Sequence, residues 1–133
     1  MNAQLRIENP LDARAARAQI LACLREVAPP DSDLSATELI VSELVGNAFK
    51  YGTGWVSLAL EWEGERPVLH VCNGGSAFDL PSGLPEEPAA ESGRGLFLVQ
   101  SISLGLKIER VHDVNHVWAV LPVRIAKRSA SRR

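Results

Sequence analysis

The stretch ELVGNAFKY, residues 43–51, lies inside the longer run TELIVSELVGNAFKYG, residues 37–52. Glu43, Asn47 and Lys50 are four and three positions apart, so on a helix they form one stripe. Ile40, Val41, Leu44, Val45 and Ala48 occupy much of the remaining circumference. A helix that is apolar over most of its surface has to be covered, which leaves the polar stripe facing water, a partner or a ligand. On its own, a solvated stripe with one internal ion pair is the simpler reading.

The flanking sequence sets this helix in a fold. Ser35-Ala36-Thr37-Glu38 has the spacing of a capping box and predicts the helix start, and Gly52 predicts its stop near Tyr51. Upstream, residues 3–8 read as a short edge strand before a turn at Asn9-Pro10. A helix capped by Asp12 then runs to about Val27 and ends at Pro29-Pro30. Downstream, Trp55–Trp62 and Pro67–Cys72 read as strands joined by a hairpin turn at Glu63-Gly64-Glu65-Arg66. Residues 73–92 form a long loop rich in glycine and proline. A third helix follows from Gly93 to Leu104, then strands near 106–112 and 115–123 that turn at Asp113 to Asn115. The order β-α-α-β-β-loop-α-β-β predicts an α+β two-layer sandwich, with a mixed, mostly antiparallel sheet and helices on one face.

The totals agree with one domain over residues 1–123 and a basic, disordered tail over 124–133. The chain has 133 residues, 46% hydrophobic and 23% charged, within the usual range for folded proteins. Its net charge of −2 conceals an asymmetry, because five of the 14 basic residues fall in the last ten with no acid among them. Residues 1–123 therefore carry nine basic groups against 16 acids, a net −7. An acidic body argues against direct nucleic-acid binding. The lack of an apolar run long enough to span a bilayer, and of a secretory signal pattern, argues against a membrane location and predicts the cytoplasm. Cys23 and Cys72 are too far apart for a CxxC metal site and read as small core residues. His112 and His116 have the spacing of helical metal ligands but fall on a predicted hairpin, so zinc is not expected.

Two further segments complete a constellation. Ser92-Gly93-Arg94-Gly95-Leu96 opens a helix, where exposed backbone N–H groups and the helix dipole favour phosphate. Asn73-Gly74-Gly75 ends a strand, where glycine allows close approach to something flat. Either segment alone is a plain turn. In sequence order, however, ExxxN on a helix, a strand ending in Asn-Gly-Gly, a long loop and GRGL at a helix start resemble the ATP-binding fold shared by histidine kinases, gyrase and heat-shock chaperones. The form GRGLFLVQSIS is most similar to that of bacterial anti-sigma-factor serine/threonine kinases. The resemblance covers roughly residues 5–123, including Val117-Trp118-Ala119-Val120-Leu121-Pro122 at the last strand.

The resemblance implies ATP and Mg²⁺ as cofactors. Glu43 would be the general base and Asn47 the Mg²⁺ ligand. Lys50 would lie near the phosphates, Asn73 and Gly75 would meet the base, and Gly93, Arg94, Gly95 and Leu96 would cradle phosphate under a 74–92 lid. Where the family's glycine box begins with aspartate, this chain has Asn73. That keeps an acceptor for the adenine amino group but removes its charge, for an expected loss of about tenfold in affinity. The implied activity is phosphorylation of a STAS-type anti-sigma-factor antagonist, controlling a sigma factor. The alternative is a non-catalytic, nucleotide-responsive module that sequesters a sigma factor or another regulator. A homodimer through the 3–8 edge is expected by analogy.

Overall fold

The computed structural model describes residues 3–7, 13–62, 64–75 and 91–126. Three helices and five strands follow in the order β1 (Ala3–Ile7), α1 (Ala13–Val27), α2 (Ser35–Tyr51), β2 (Gly52–Trp62), β3 (Pro67–Gly75), α3 (Glu91–Ile102), β4 (Gly105–Val111) and β5 (Val114–Val120). The strands form one sheet in the order β1-β2-β3-β5-β4, and every pairing is antiparallel. The expected two-layer α+β architecture is present. The sheet is antiparallel throughout the described residues, so it is simpler than the mixed sheet that was expected.

Period-two alternation divides the sheet into two faces. Val56, Leu58 and Leu60 of β2, Leu69 and Val71 of β3, and Val117 and Ala119 of β5 point into one buried core. The helices contribute Ile20, Leu24, Ile40, Val41, Leu44, Val45 and Val99 to it. Burying side chains of this size stabilises by roughly 1.5–3 kcal/mol each, so this layer supplies the main driving force. The opposite face carries Glu61, His70, Cys72, His116 and Trp118, all half-buried.

The start of α2 differs from the predicted capping box. The Ser35 amide donates to Asp33 Oδ1 at 3.0 Å, and the Glu38 amide donates to the Leu34 carbonyl at 2.8 Å. Asp33 rather than Ser35 thus satisfies an orphan donor, and that bond holds its carboxyl below the ordinary range. The Glu38 carboxylate instead accepts from Arg25 Nη2 at 2.7 Å and ties α2 to α1. A tertiary partner displaced a local one.

One turn and one register shift lie at the same end of the sheet. The β4–β5 turn falls at His112-Asp113, with φ of 51° and 64°, earlier than predicted. Two positive φ values in a two-residue loop make a type I′ turn, whose twist suits antiparallel strands. The earlier turn moves Asn115 into β5, where it is fully buried. On β2, the register shifts between Gly52, which faces Gly75, and Val56, which faces Asn73.

At the start of the basic segment, the Ile125 amide donates to the Glu65 carbonyl at 2.6 Å and the Ala126 amide donates to the Val27 carbonyl at 2.6 Å. Arg124 lies 3.4 Å from the Glu65 carboxylate. Residues 127–133, the predicted turn at Asn9-Pro10, the Asp12 cap and the 76–90 part of the predicted lid lie outside the described residues.

Candidate functional site

The polar stripe of α2 is divided by burial. Asn47 is buried, Glu43 is half-buried and Lys50 is exposed. The helix packs against α1, α3, β2 and β3, which explains why its apolar residues surround the stripe. One turn beyond Asn47 the chain passes from Tyr51 directly into Gly52, whose register partner is Gly75. The C-terminal end of α2 is thereby anchored beside the Asn73-Gly74-Gly75 end of β3. Glu43 makes no ion pair with a described residue.

Asn73 is fully buried on the helix-facing side of β3. Its Nδ2 reaches only the Gly74 carbonyl at 3.3 Å, and its Oδ1 has no hydrogen-bond partner. Asn47 Nδ2 is likewise buried and unmatched. A buried polar atom without a partner costs roughly 1–3 kcal/mol, which a ligand or water supplying the missing bonds at Asn47 and Asn73 would offset; Thr37 Oγ1 and Ser103 Oγ are unmatched as well. A nucleotide fits this demand, because it offers both donors and acceptors.

The two glycines after Asn73 have different roles. A β-carbon on Gly74 would lie 2.9 Å from Trp55 Nε1, so the flat group approached there is the chain's own indole. Gly75 has φ of 152°, a conformation that favours glycine. A cleft of about 610 Å³ at this corner is lined by Trp55, Gly74, Gly75, Arg110, His112, Asp113 and Val114. It adjoins the site through Gly74 and Gly75, but no residue of the α2 stripe lines it.

The sheet also adds two residues that the sequence reading did not include. The register aligns Val56, Asn73, Asn115 and Arg110 across four strands, in phase with the core-facing rows. Arg110 Nη1 donates to Asn115 Oδ1 at 2.9 Å, and Nη2 lies 3.3 Å from Asp113 Oδ1. A polar row therefore ends an otherwise apolar sheet face at Asn73. The signal was present in VNHVWAV, where Asn115 alternates in phase with Val117 and Ala119. The misplaced turn concealed it.

Gly93, Arg94, Gly95 and Leu96 all lie within the first two turns of α3, which opens at Glu91, two residues before the predicted start. The α3 helix contacts α2, so the two helix-borne segments share one layer. Glu43, Asn47, Asn73 and Gly75 therefore lie on elements that pack together, with the GRGL segment in the first turns of α3 in the same helix layer as α2.

The model of the histidine kinase-like ATPase domain family matches residues 8–121. The chain belongs to this family, and its α+β fold is that of the family. No curated protein matches the chain significantly. No helix among the described residues is long and apolar enough to cross a membrane.

Proposed function

We propose that the protein is an ATP- and Mg²⁺-dependent regulatory protein that acts as a serine/threonine kinase on a STAS-type anti-sigma-factor antagonist and so controls a sigma factor. The unmatched Asn73 Oδ1, buried on β3 of an ATPase-type fold against the α2 helix that carries Asn47, carries the nucleotide part of this reading. Under it the Asn47 amide oxygen ligates Mg²⁺, a hard cation that prefers oxygen donors. Asn73 Oδ1 accepts from the exocyclic amine of the base. Glu43, one helical turn before Asn47, accepts the proton of the attacking hydroxyl. Bound ATP with its metal supplies the transferable phosphoryl group and offsets its charge. Lys50 and the Gly93-Arg94-Gly95 segment in the first turns of α3 stabilise the phosphates.

The neutral Asn73 favours a second reading, a nucleotide-responsive module that binds a sigma factor or another regulator without turnover. The two separate on one set of measurements: ATP binding and phosphate transfer to the antagonist by the wild-type chain and Glu43→Ala. The kinase reading expects retained ATP binding and lost transfer in the variant. Equal transfer by both would overturn the role of Glu43. ATP binding without transfer by either would leave the module.

A further inference from the structure

The face of the sheet turned away from the helices carries a second cluster, remote from the α2 stripe. His70 on β3 and His116 on β5 place Nδ1 and Nε2 3.1 Å apart. On the other side of the His70 ring, Nε2 lies 3.0 Å from Glu61 Oε1 on β2. A carboxylate can only accept, so His70 Nε2 donates to Glu61 and the neutral ring keeps a lone pair on Nδ1.

We propose that His70 and His116 form a two-histidine clamp for a borderline transition-metal dication such as Zn²⁺ or Ni²⁺, with Glu61 orienting His70. Two nitrogens 3.1 Å apart can both reach one metal at an ordinary zinc–nitrogen distance once the rings, now nearly end-on with centroids 5.3 Å apart, tilt so that their lone pairs converge. The bond from His70 to Glu61 is the carboxylate–histidine arrangement that holds ligating imidazoles in the required tautomer. Without metal, the proton between the rings belongs to His116 Nε2. With metal it moves to His116 Nδ1, and that ring stays neutral. No group of three or more His, Cys, Asp or Glu among the described residues is arranged to hold a metal, so water completes the coordination. Imidazole ligands select this class of ion over Mg²⁺, so the clamp is separate from the nucleotide's metal.

Trp118 is a built-in reporter, with its ring centroid 4.5 Å from that of His116 and 6.4 Å from that of His70. The test is calorimetric titration of the metal-free full chain with Ni²⁺ and with Zn²⁺ in excess Mg²⁺, alongside Ni²⁺ quenching of Trp fluorescence. One-to-one binding is expected, lost in the His70→Gln/His116→Gln double variant and weakened roughly 10- to 100-fold in Glu61→Gln. Circular dichroism in EDTA checks that the variants fold. The quenching step should vanish in Trp118→Phe, which leaves both histidines in place. No binding by the wild-type chain, unchanged binding by the double variant, or quenching unchanged in Trp118→Phe would each overturn the clamp.

Discussion

The indole of Trp55 lies against Gly74, with its Nε1 2.9 Å from where a β-carbon on that residue would stand. Gly74→Ala should therefore force the indole away. Because Trp55 is 38% exposed, the ring can swing outward, and a loss of about 1–3 kcal/mol is expected from overpacking. Urea melts of Gly74→Ala, Trp55→Ala and the double variant check this. The double should lose less than the sum of the singles, since the clash disappears with the ring.

Asn73 sets opposing demands on stability and binding. In Asn73→Asp the fully buried side chain becomes a carboxylate, so the nucleotide-free chain should melt at a lower temperature. If the base donates its amine to this position, the charged acceptor should tighten ATP binding by about tenfold. Calorimetry and thermal melts with and without ATP measure both changes. Weaker ATP binding by the variant would contradict the assigned contact.

Gly46 is exposed within α2, and nothing lies within 4 Å of where its β-carbon would stand. Its φ is negative, so alanine fits without strain. Gly46→Ala should raise stability by about 1 kcal/mol through helix propensity alone. The midpoint of chemical denaturation should move up with an unchanged slope.

Glu38 distinguishes an ion pair from a cap. Its partner Arg25 and the carboxylate itself are both well exposed, so the bond between α1 and α2 should contribute less than about 1 kcal/mol. A double-mutant cycle of Arg25→Ala and Glu38→Ala should show a coupling of that size that fades in high salt. Coupling that persists at high salt would contradict the exposed geometry.

His116 gives the fold a pH-dependent contribution. Its pKa is lowered in the folded chain from an ordinary value near 6.5, so between the two values the unfolded chain binds more protons. Stability should therefore rise with pH through that window, flatten above 6.5, and fall on acidification. His116→Gln should flatten this part of the profile, measured by denaturant midpoints across the window in metal-free buffer.

Much of this architecture is legible in local pattern. The apolar spacing of α1 and α2, the alternation of β2, β3 and β5, and the glycine-bounded turns are short-range signals that act through helix and strand geometry. The departures arise where a distant group intervenes or where a local turn takes an earlier position. Arg25 draws Glu38 away from the helix end, and the His112-Asp113 turn places Asn115 in the buried row. Trp55 claims the surface of Gly74.

The chain's sequence by itself determined that Glu43, Asn47 and Lys50 share a stripe, because helical periodicity is a property of neighbours three and four apart. It also determined that Asn73 is followed by glycines able to take unusual backbone angles. Only the tertiary structure decided that Asn73 is sealed from water beside Asn115 and Arg110, and that His70, His116 and Glu61 meet on the opposite face. Strand register and burial bring together residues nine to 46 positions apart, and these depend on how the whole sheet pairs rather than on any local spacing.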